Sequence, residues 1–266
     1  MSGIPVANPL SPELGVIVGG FDIHADLTAA ACDSLRRMLA EHHLILFRGV
    51  DVSPVDNRRL LEIFGPVEDE FQNGTYYSLV QNLIFPGRED VEELMYHCDY
   101  SFLPNPLQVV SLYGMDVPSV CANTSFANGV RACRTLPPDL RAQLEGRMVL
   151  HACDIVEAAQ VSSGQLTDAD LERGAYRGTL HPVILMHPRT GDQVLFINPY
   201  LSVRIEGLSH TESQSLLNQA FTHLYTPENV YEHCWRQGDF IIFDNIALTH
   251  KRNKGTTRTL RRMIVH

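Results

Sequence analysis

His97 and Asp99, in the run Tyr96-His97-Cys98-Asp99-Tyr100, place an imidazole and a carboxylate two residues apart. In an extended strand, positions i and i+2 point to the same face, so both side chains can converge on one ion. Two ligands alone are weak evidence, since twelve histidines give many chances for such a pair. The second part lies further along, where Gly238-Asp239-Phe240-Ile241-Ile242-Phe243-Asp244-Asn245 leads through Ile246-Ala247-Leu248-Thr249 to His250. An apolar strand there runs into a polar turn and a second strand carrying His250. Two imidazoles and one carboxylate on one face of an octahedral ion leave three positions open, the arrangement that non-haem Fe(II) oxygenases use. Two of these can chelate a 2-oxo acid, and the third can take water or O2.

A basic cluster follows His250: Lys251, Arg252, Lys254, Arg258, Arg261 and Arg262. Such runs are commonly solvated surface. A 2-oxoglutarate chelated through its keto-acid end, however, buries its far carboxylate, which then needs a charge-assisted and preferably bidentate partner. Arg258 and Arg262, four residues apart on one face of a terminal strand, could each serve.

The residues resemble the TauD/TfdA (taurine dioxygenase-like) family of Fe(II)/2-oxoglutarate-dependent dioxygenases over nearly the whole chain. The family's His-x-Asp segment corresponds to His97-Cys98-Asp99-Tyr100-Ser101-Phe102, and its distal Gly-Asp, Asp-Asn and His landmarks to Gly238 through His250. Further landmarks fall at His181-Pro182-Val183, His187 to Gly191, Leu195 to Asn198 and Ile205 to Ser209. The resemblance implies a mainly β fold with flanking helices around a double-stranded β-helix (jelly roll) core. It implies Fe(II) on His97, Asp99 and His250, with 2-oxoglutarate and O2 as cosubstrates. It also implies a Thr that hydrogen-bonds the far carboxylate of 2-oxoglutarate, here Thr124, 27 residues after His97. Of the family's two C-terminal arginines, Arg258 corresponds to the one that holds this carboxylate. Arg262 corresponds to the one near the substrate or the C1 carboxylate, which makes an anionic group on the substrate the expectation. Counting from His250 would instead select Arg261, but the four-residue spacing is the better guide. Asn73, Tyr77 and Tyr200 fall where the family builds its substrate wall.

Two positions depart from the family pattern: Ile246 stands where many relatives have Arg, and Phe243 where many have Trp. The presence of Asp99 argues against the related halogenases. The expected reaction is oxidation, foremost hydroxylation, of an unactivated C–H bond in a small organic substrate, with release of succinate and CO2. Desaturation on the same site is an alternative outcome. Two competing classes are a jelly-roll binding protein without oxygenase activity and a Zn or Mn hydrolase or isomerase. Thr124 with the arginine pair counts against the latter, which has no use for a 2-oxoglutarate clamp.

The elements that must position these side chains are of two textures. The first quarter reads as helices bracketing a strand: Thr28 to His42 with Thr28 as N-cap, the buried run Leu44 to Phe47, and a helix opened by Ser53-Pro54 and running to Phe64. A short strand pair is expected within Val16 to Ile23, interrupted by Gly19-Gly20. From Leu79 onward come short β-rich runs: Leu79 to Phe85, Leu107 to Tyr113, Met148 to Ala152, Val183 to Met186, Gln193 to Asn198 and Asp239 to Asp244. These suggest a sandwich or barrel, with Pro188 to Asp192 as a hairpin turn. Helices interrupt at Leu136 to Leu144 and at Ser209 to Leu224, where Ser209 and Glu212 form a capping-box pattern. Ile155 to Thr179 reads as an insertion or active-site lid.

With 266 residues and 44% apolar side chains, the chain can bury a sizeable core, and no linker or repeat divides it, so a single domain over 1–266 is expected. A net charge of −10 with no basic face disfavours nucleic acid. No leader pattern or membrane-length apolar run is present, and the six cysteines lack CxxC pairs, so a cytoplasmic location without membrane partners is expected. A homo-oligomer is compatible with the sequence.

Overall fold

The architecture follows from strands that are apolar on both faces. Phe240–Asp244 is buried throughout. Its Ile241 and Phe243 enter one core while Phe240 and Ile242 enter another, as the two-residue period of a strand requires. Leu44–Phe47 divides the same way, with Leu44 and Leu46 on one side and Ile45 and Phe47 on the other. The structure, a computed structural model, describes residues 4–81, 92–156, 160–161, 168–174 and 176–266.

The larger sheet has seven strands in the order Val6–Pro9, Val16–Gly19, Leu44–Phe47, Phe240–Asp244, Val109–Asp116, Thr259–Val265 and Ser78–Gln81. All its pairings are antiparallel except that of Val16–Gly19 with Leu44–Phe47. Facing it is a four-stranded antiparallel sheet in the order Val230–His233, Thr124–Asn128, Leu248–Arg252 and Leu94–His97. The core between the sheets contains Phe126 and Leu248 from the smaller and Leu112, Phe243, Leu260 and Ile264 from the larger. This is the jelly-roll sandwich, and both strands that carry histidines of the proposed triad belong to its smaller sheet.

Helices close the outer faces. Ala29–His42 and Pro54–Leu61 lie against the larger sheet, burying Leu35, Leu39, Leu60 and Leu61 among Val109, Phe240 and Met263. Thr28 caps the first by accepting from the Ala31 amide, and Ser53 caps the second, with Pro54 opening it. The helix His210–Leu224 begins with the expected capping box and covers a third core with Leu144, Val149, Leu195 and Ile205.

Four expectations are revised. The first hairpin pairs Val6–Pro9 with Val16–Gly19, because the chain turns at Gly15, whose φ is 86°, and not at Gly19-Gly20. The helix opened by Pro54 ends at Leu61, where the Phe64 amide bonds to Leu61 in a tighter turn before Gly65. The strand expected over Leu79 to Phe85 spans Ser78–Gln81, and its remainder lies outside the described residues. Part of the expected insertion is sheet: Tyr176–Pro182 pairs with Met148 through Asp154, whereas much of the lid reading falls outside the described residues. The hairpin Ile184–Met186 with Gln193–Leu195 has Gly191 at φ 74°, as its turn requires.

Candidate active site

His97 ends the strand Leu94–His97, and His250 stands directly opposite it on Leu248–Arg252. Their ring centroids are 4.2 Å apart. Asp99 is not in the strand. It lies in the turn that follows, where Tyr100 takes φ 56°, so the carboxylate reaches the histidines through a bend and not through the i, i+2 alternation expected from sequence. Asn245 fixes that bend. Its Oδ1 accepts from the Asp99 amide at 3.0 Å, and its Nδ2 donates to the carbonyls of Asp99 at 3.0 Å and Leu107 at 2.9 Å.

One donor atom each from His97, Asp99 and His250 lie within 4.8 Å of one another. His97 Nε2 is 3.3 Å and His250 Nε2 3.9 Å from Asp99 Oδ1. Two neighbouring ligands of an octahedral ion, each ~2.1 Å from it, stand roughly 3 Å apart, so the three atoms are close to a ligand face. His97 Nδ1 is 2.9 Å from the Met95 carbonyl. A proton held there leaves the Nε2 lone pair toward the shared space. The His250 ring is packed by Phe126 and Phe243, with centroids at 6.2 and 4.9 Å. Burial, reinforced by His97, lowers its pKa to about 3, so the imidazole is neutral and able to ligate.

Burial would raise the Asp99 carboxyl, but the Arg262 guanidinium, assisted by the two histidines, holds it well below the usual carboxylate range. Arg262 donates from Nε and Nη2 to Asp99 Oδ2 at 3.1 and 2.9 Å. Its Nη1 donates to both oxygens of Glu70 at 3.0 and 2.8 Å. Glu70 also accepts from the Tyr100 hydroxyl at 2.6 Å. Arg262 therefore lies in the site, as expected from sequence, but its donors are engaged by two carboxylates of the chain itself.

Arg258 and Arg262, with Leu260 and Ile264, occupy the inner face at the terminal strand, while Arg261 points to the opposite face and bonds Asn57 and the Val52 carbonyl. Arg258 donates from Nη2 to Thr124 Oγ1 at 2.6 Å, which also accepts from the Trp235 indole at 2.9 Å. Its Nε and Nη1 are buried with no hydrogen-bond partner. Burial lowers its pKa to about 10, and the group remains a cation at neutral pH. A buried cation with two unmatched donors is costly alone and fits an incoming carboxylate.

A cavity of about 460 Å³ joins these groups, bordered by His97, Asp99, His250, Thr124, Arg258 and Arg262. Tyr200 also borders it, its ring meeting His97 edge-on at 5.9 Å. Asn73 and Tyr77 do not. Asn73 is exposed and accepts from the Thr75 amide and hydroxyl, while Tyr77 packs on the outer core under the larger sheet. The cavity wall in this region is instead carried by Glu70 and Phe71 before them and Leu79 and Val80 after them. Glu70, Tyr100 and Asn245 carry contacts that sequence reading did not assign. Asn245 was visible as a landmark, whereas an acid such as Glu70 in an acidic stretch gives no signal of its own.

The donor set suits Fe(II), and the unmatched Arg258 donors suit a dicarboxylic 2-oxo acid. A profile of the taurine catabolism dioxygenase TauD, TfdA family matches residues 7–265. The chain is 27% identical to the alpha-ketoglutarate-dependent 2,4-dichlorophenoxyacetate dioxygenase of Cupriavidus pinatubonensis, over 97% of this chain and 96% of that one. It is 26% identical to pentalenolactone F synthase of Streptomyces arenae, over 90% of this chain and 86% of that one. A taurine dioxygenase structure from Burkholderia xenovorans superposes with a TM-score of 0.81 at 22% identity, covering 99% of this chain and 91% of that one. With its sheet sandwich, its three-donor cluster and a family match across almost every residue, the chain belongs to the TauD/TfdA family and is an Fe(II)- and 2-oxoglutarate-dependent dioxygenase.

Proposed function

We propose that this dioxygenase hydroxylates a C–H bond of a small organic molecule at a centre held by His97, Asp99 and His250, with the far carboxylate of 2-oxoglutarate on Arg258 and Thr124. The observation that carries this reading is the meeting, in one cavity, of a three-donor cluster and a buried guanidinium with two unmatched donors. Bound Fe(II), 2-oxoglutarate and O2 supply the oxidising chemistry, which releases succinate and CO2.

The chain's own residues prepare that chemistry. His250 offers a neutral imidazole and His97 its Nε2, and Asp99 offers Oδ1 while Arg262 occupies its Oδ2, which favours single-oxygen ligation. Thr124 steers Arg258 through their hydrogen bond, so the cosubstrate's carboxylate meets fixed donors. Phe71, Leu79, Val80 and Leu201 give the cavity an apolar wall that excludes water around the target carbon. We further read residues 1–266 as a single domain. No disulfide joins any of the six cysteines, which supports a reducing compartment such as the cytoplasm. No helix among the described residues is long and apolar enough to cross a membrane.

The test is anaerobic addition of Fe(II) and 2-oxoglutarate, watching for the weak visible charge-transfer band of the chelate. The band is expected in the wild type and lost in the variant combining His97→Ala and Asp99→Ala. Its absence from folded, metal-loaded wild type, or its survival in that double variant, would falsify the assignment.

A further inference from the structure

We propose that Glu70 is a specificity-determining residue that closes the Arg262 site to anions, and that the substrate is an uncharged, largely apolar molecule. This rests on the dioxygenase reading above and adds the substrate class to it.

Arg262 is the cation beside the three-donor cluster, and each of its three nitrogens is already engaged by a carboxylate of the chain. Its Nε and Nη2 bond Asp99, and its Nη1 bonds both oxygens of Glu70. Glu70 is itself fixed by the Tyr100 hydroxyl. One guanidinium thus holds two carboxylates, and the group as a whole is net negative before any metal binds. Asp99's charge is needed beside a divalent ion, so Glu70 is the one that balances Arg262. A substrate carboxylate or sulfonate would enter as a third anion on the same cation. It would have to displace Glu70, whose side chain is only 15% exposed, leaving that charge poorly solvated and unpaired.

The other cations bordering the cavity, among the described residues, are also committed. Arg258 faces Thr124 and the proposed cosubstrate carboxylate. Lys251 pairs with Glu93 at 3.2 Å and lies 5.3 Å from the Tyr96 ring centre. Arg252 donates to the Glu92 carbonyl at 3.0 and 3.3 Å. Among the described residues, the remaining space is bordered mainly by apolar side chains, among them Phe71, Leu79, Val80, Leu94 and Leu201, together with Tyr200 and the small polar Ser78. Such a wall selects by shape and apolar area, with the ring of Tyr200 beside His97 to orient the target. The C. pinatubonensis relative is named for an aryloxyacetate, a carboxylate. Its probe chemistry therefore makes a direct contrast with this chain.

The experiment measures binding of two matched pairs, phenoxyacetate with methyl phenoxyacetate and hexanoate with methyl hexanoate. The readouts are the perturbation of the anaerobic Fe(II)·2-oxoglutarate band and, separately, calorimetry. Wild type, Glu70→Gln and Glu70→Asp are compared, each first shown to be folded by its melting transition. In wild type the ester of a pair is expected to bind at least tenfold more tightly than the anion. Glu70→Gln is expected to shift that ratio at least tenfold toward the anion, and Glu70→Asp, which keeps the charge, to retain the wild-type preference. If neither member of a pair binds wild type, gain of anion binding in Glu70→Gln supports the proposal and its absence rejects it. Wild type that binds the anion as tightly as the ester, or a ratio that Glu70→Gln leaves within threefold, overturns it. A missing charge-transfer band in wild type would fault the dioxygenase centre instead, so the two failures are distinct.

Discussion

Replacing Asn245 with Ala isolates what positions Asp99. The Asn245 side chain is fully buried and makes three hydrogen bonds of 2.9 to 3.0 Å to main-chain groups of Asp99 and Leu107. Alanine removes all three partners at once and leaves an amide and two carbonyls facing a small void. Each buried main-chain group deprived of its partner costs about 1–3 kcal/mol, so even with partial relaxation the loss should be about 3 kcal/mol. Asp is no substitute, because it can accept from the Asp99 amide but repels the two carbonyls that Nδ2 now serves. The assay is urea unfolding of metal-free wild type and variant, where the stability loss is read without help from ligation. It is paired with a Mn(II) titration by electron paramagnetic resonance, in which a mispositioned Asp99 weakens binding by roughly tenfold or more, the range seen when outer partners of metal ligands are removed. A variant that loses under 1 kcal/mol and binds Mn(II) as wild type does would refute the claim that Asn245 holds the turn.

Three further outcomes follow from particular contacts. Arg258→Gln removes a buried cation from its proposed carboxylate partner, a loss of about 2–5 kcal/mol, so the 2-oxoglutarate concentration needed to saturate the charge-transfer band should rise about 30-fold or more. His151 is buried and neutral between Ser101 Oγ and the Phe196 carbonyl, and burial, with His181 adding to it, lowers its pKa from 6.5 to about 3. A histidine with a depressed folded pKa contributes stability that is complete above the unfolded value and lost as pH falls below it. Wild type should therefore lose up to about 1.4 kcal/mol per pH unit from this group below pH ~6.5, and His151→Gln should lack that component of the slope in denaturant unfolding at pH 7, 6 and 5. Gly238 has φ 76°, and an added Cβ would meet the Val50 carbonyl at 2.8 Å, whereas Gly146, at φ 72°, has open space around it. Gly146→Ala should cost about 1–2 kcal/mol from backbone strain alone, and Gly238→Ala should cost clearly more; equal losses in thermal melts would show that the contact with Val50 has no weight.

The legible parts of the fold were those governed by local rules. The buried strand Leu44–Phe47, the Thr28 cap, the helix opening at Ser53-Pro54 and the Ser209–Glu212 capping box each depend on a few adjacent residues, and each stands where its residues put it. What sequence could not supply was pairing between distant segments. Val6–Pro9 lacks a strand-like alternation because it is exposed along its length, and only its partner Val16–Gly19 makes it a strand. The same division runs through the site. His97, Asp99 and His250 have distinctive types, but the turn that delivers Asp99 is set by Asn245, 146 residues away. Tyr77 and Tyr200 were equivalent on sequence grounds as candidate wall residues, and burial under the larger sheet separates the first from the second.

Arg262 shows why residue type and position together do not yet give a role. Its spacing from Arg258 places it correctly on the inner face, and its charge suggests an anion to receive. Charge, however, is shared among all neighbours, and Asp99 and Glu70 reach it from two other segments of the chain. The pair with Asp99 keeps that carboxylate ionised and turns one of its oxygens away from the histidines. The pair with Glu70 joins the same guanidinium to the substrate wall, 30 residues before Tyr100, whose hydroxyl completes the link. A single buried cation therefore connects the proposed ligand carboxylate to the cavity wall proposed to sort substrates. Removing Glu70's charge should consequently act at two places: it opens Arg262 to an anion, and it leaves Asp99 as the guanidinium's sole carboxylate partner, drawing Oδ2 more firmly away from the space that Oδ1 faces.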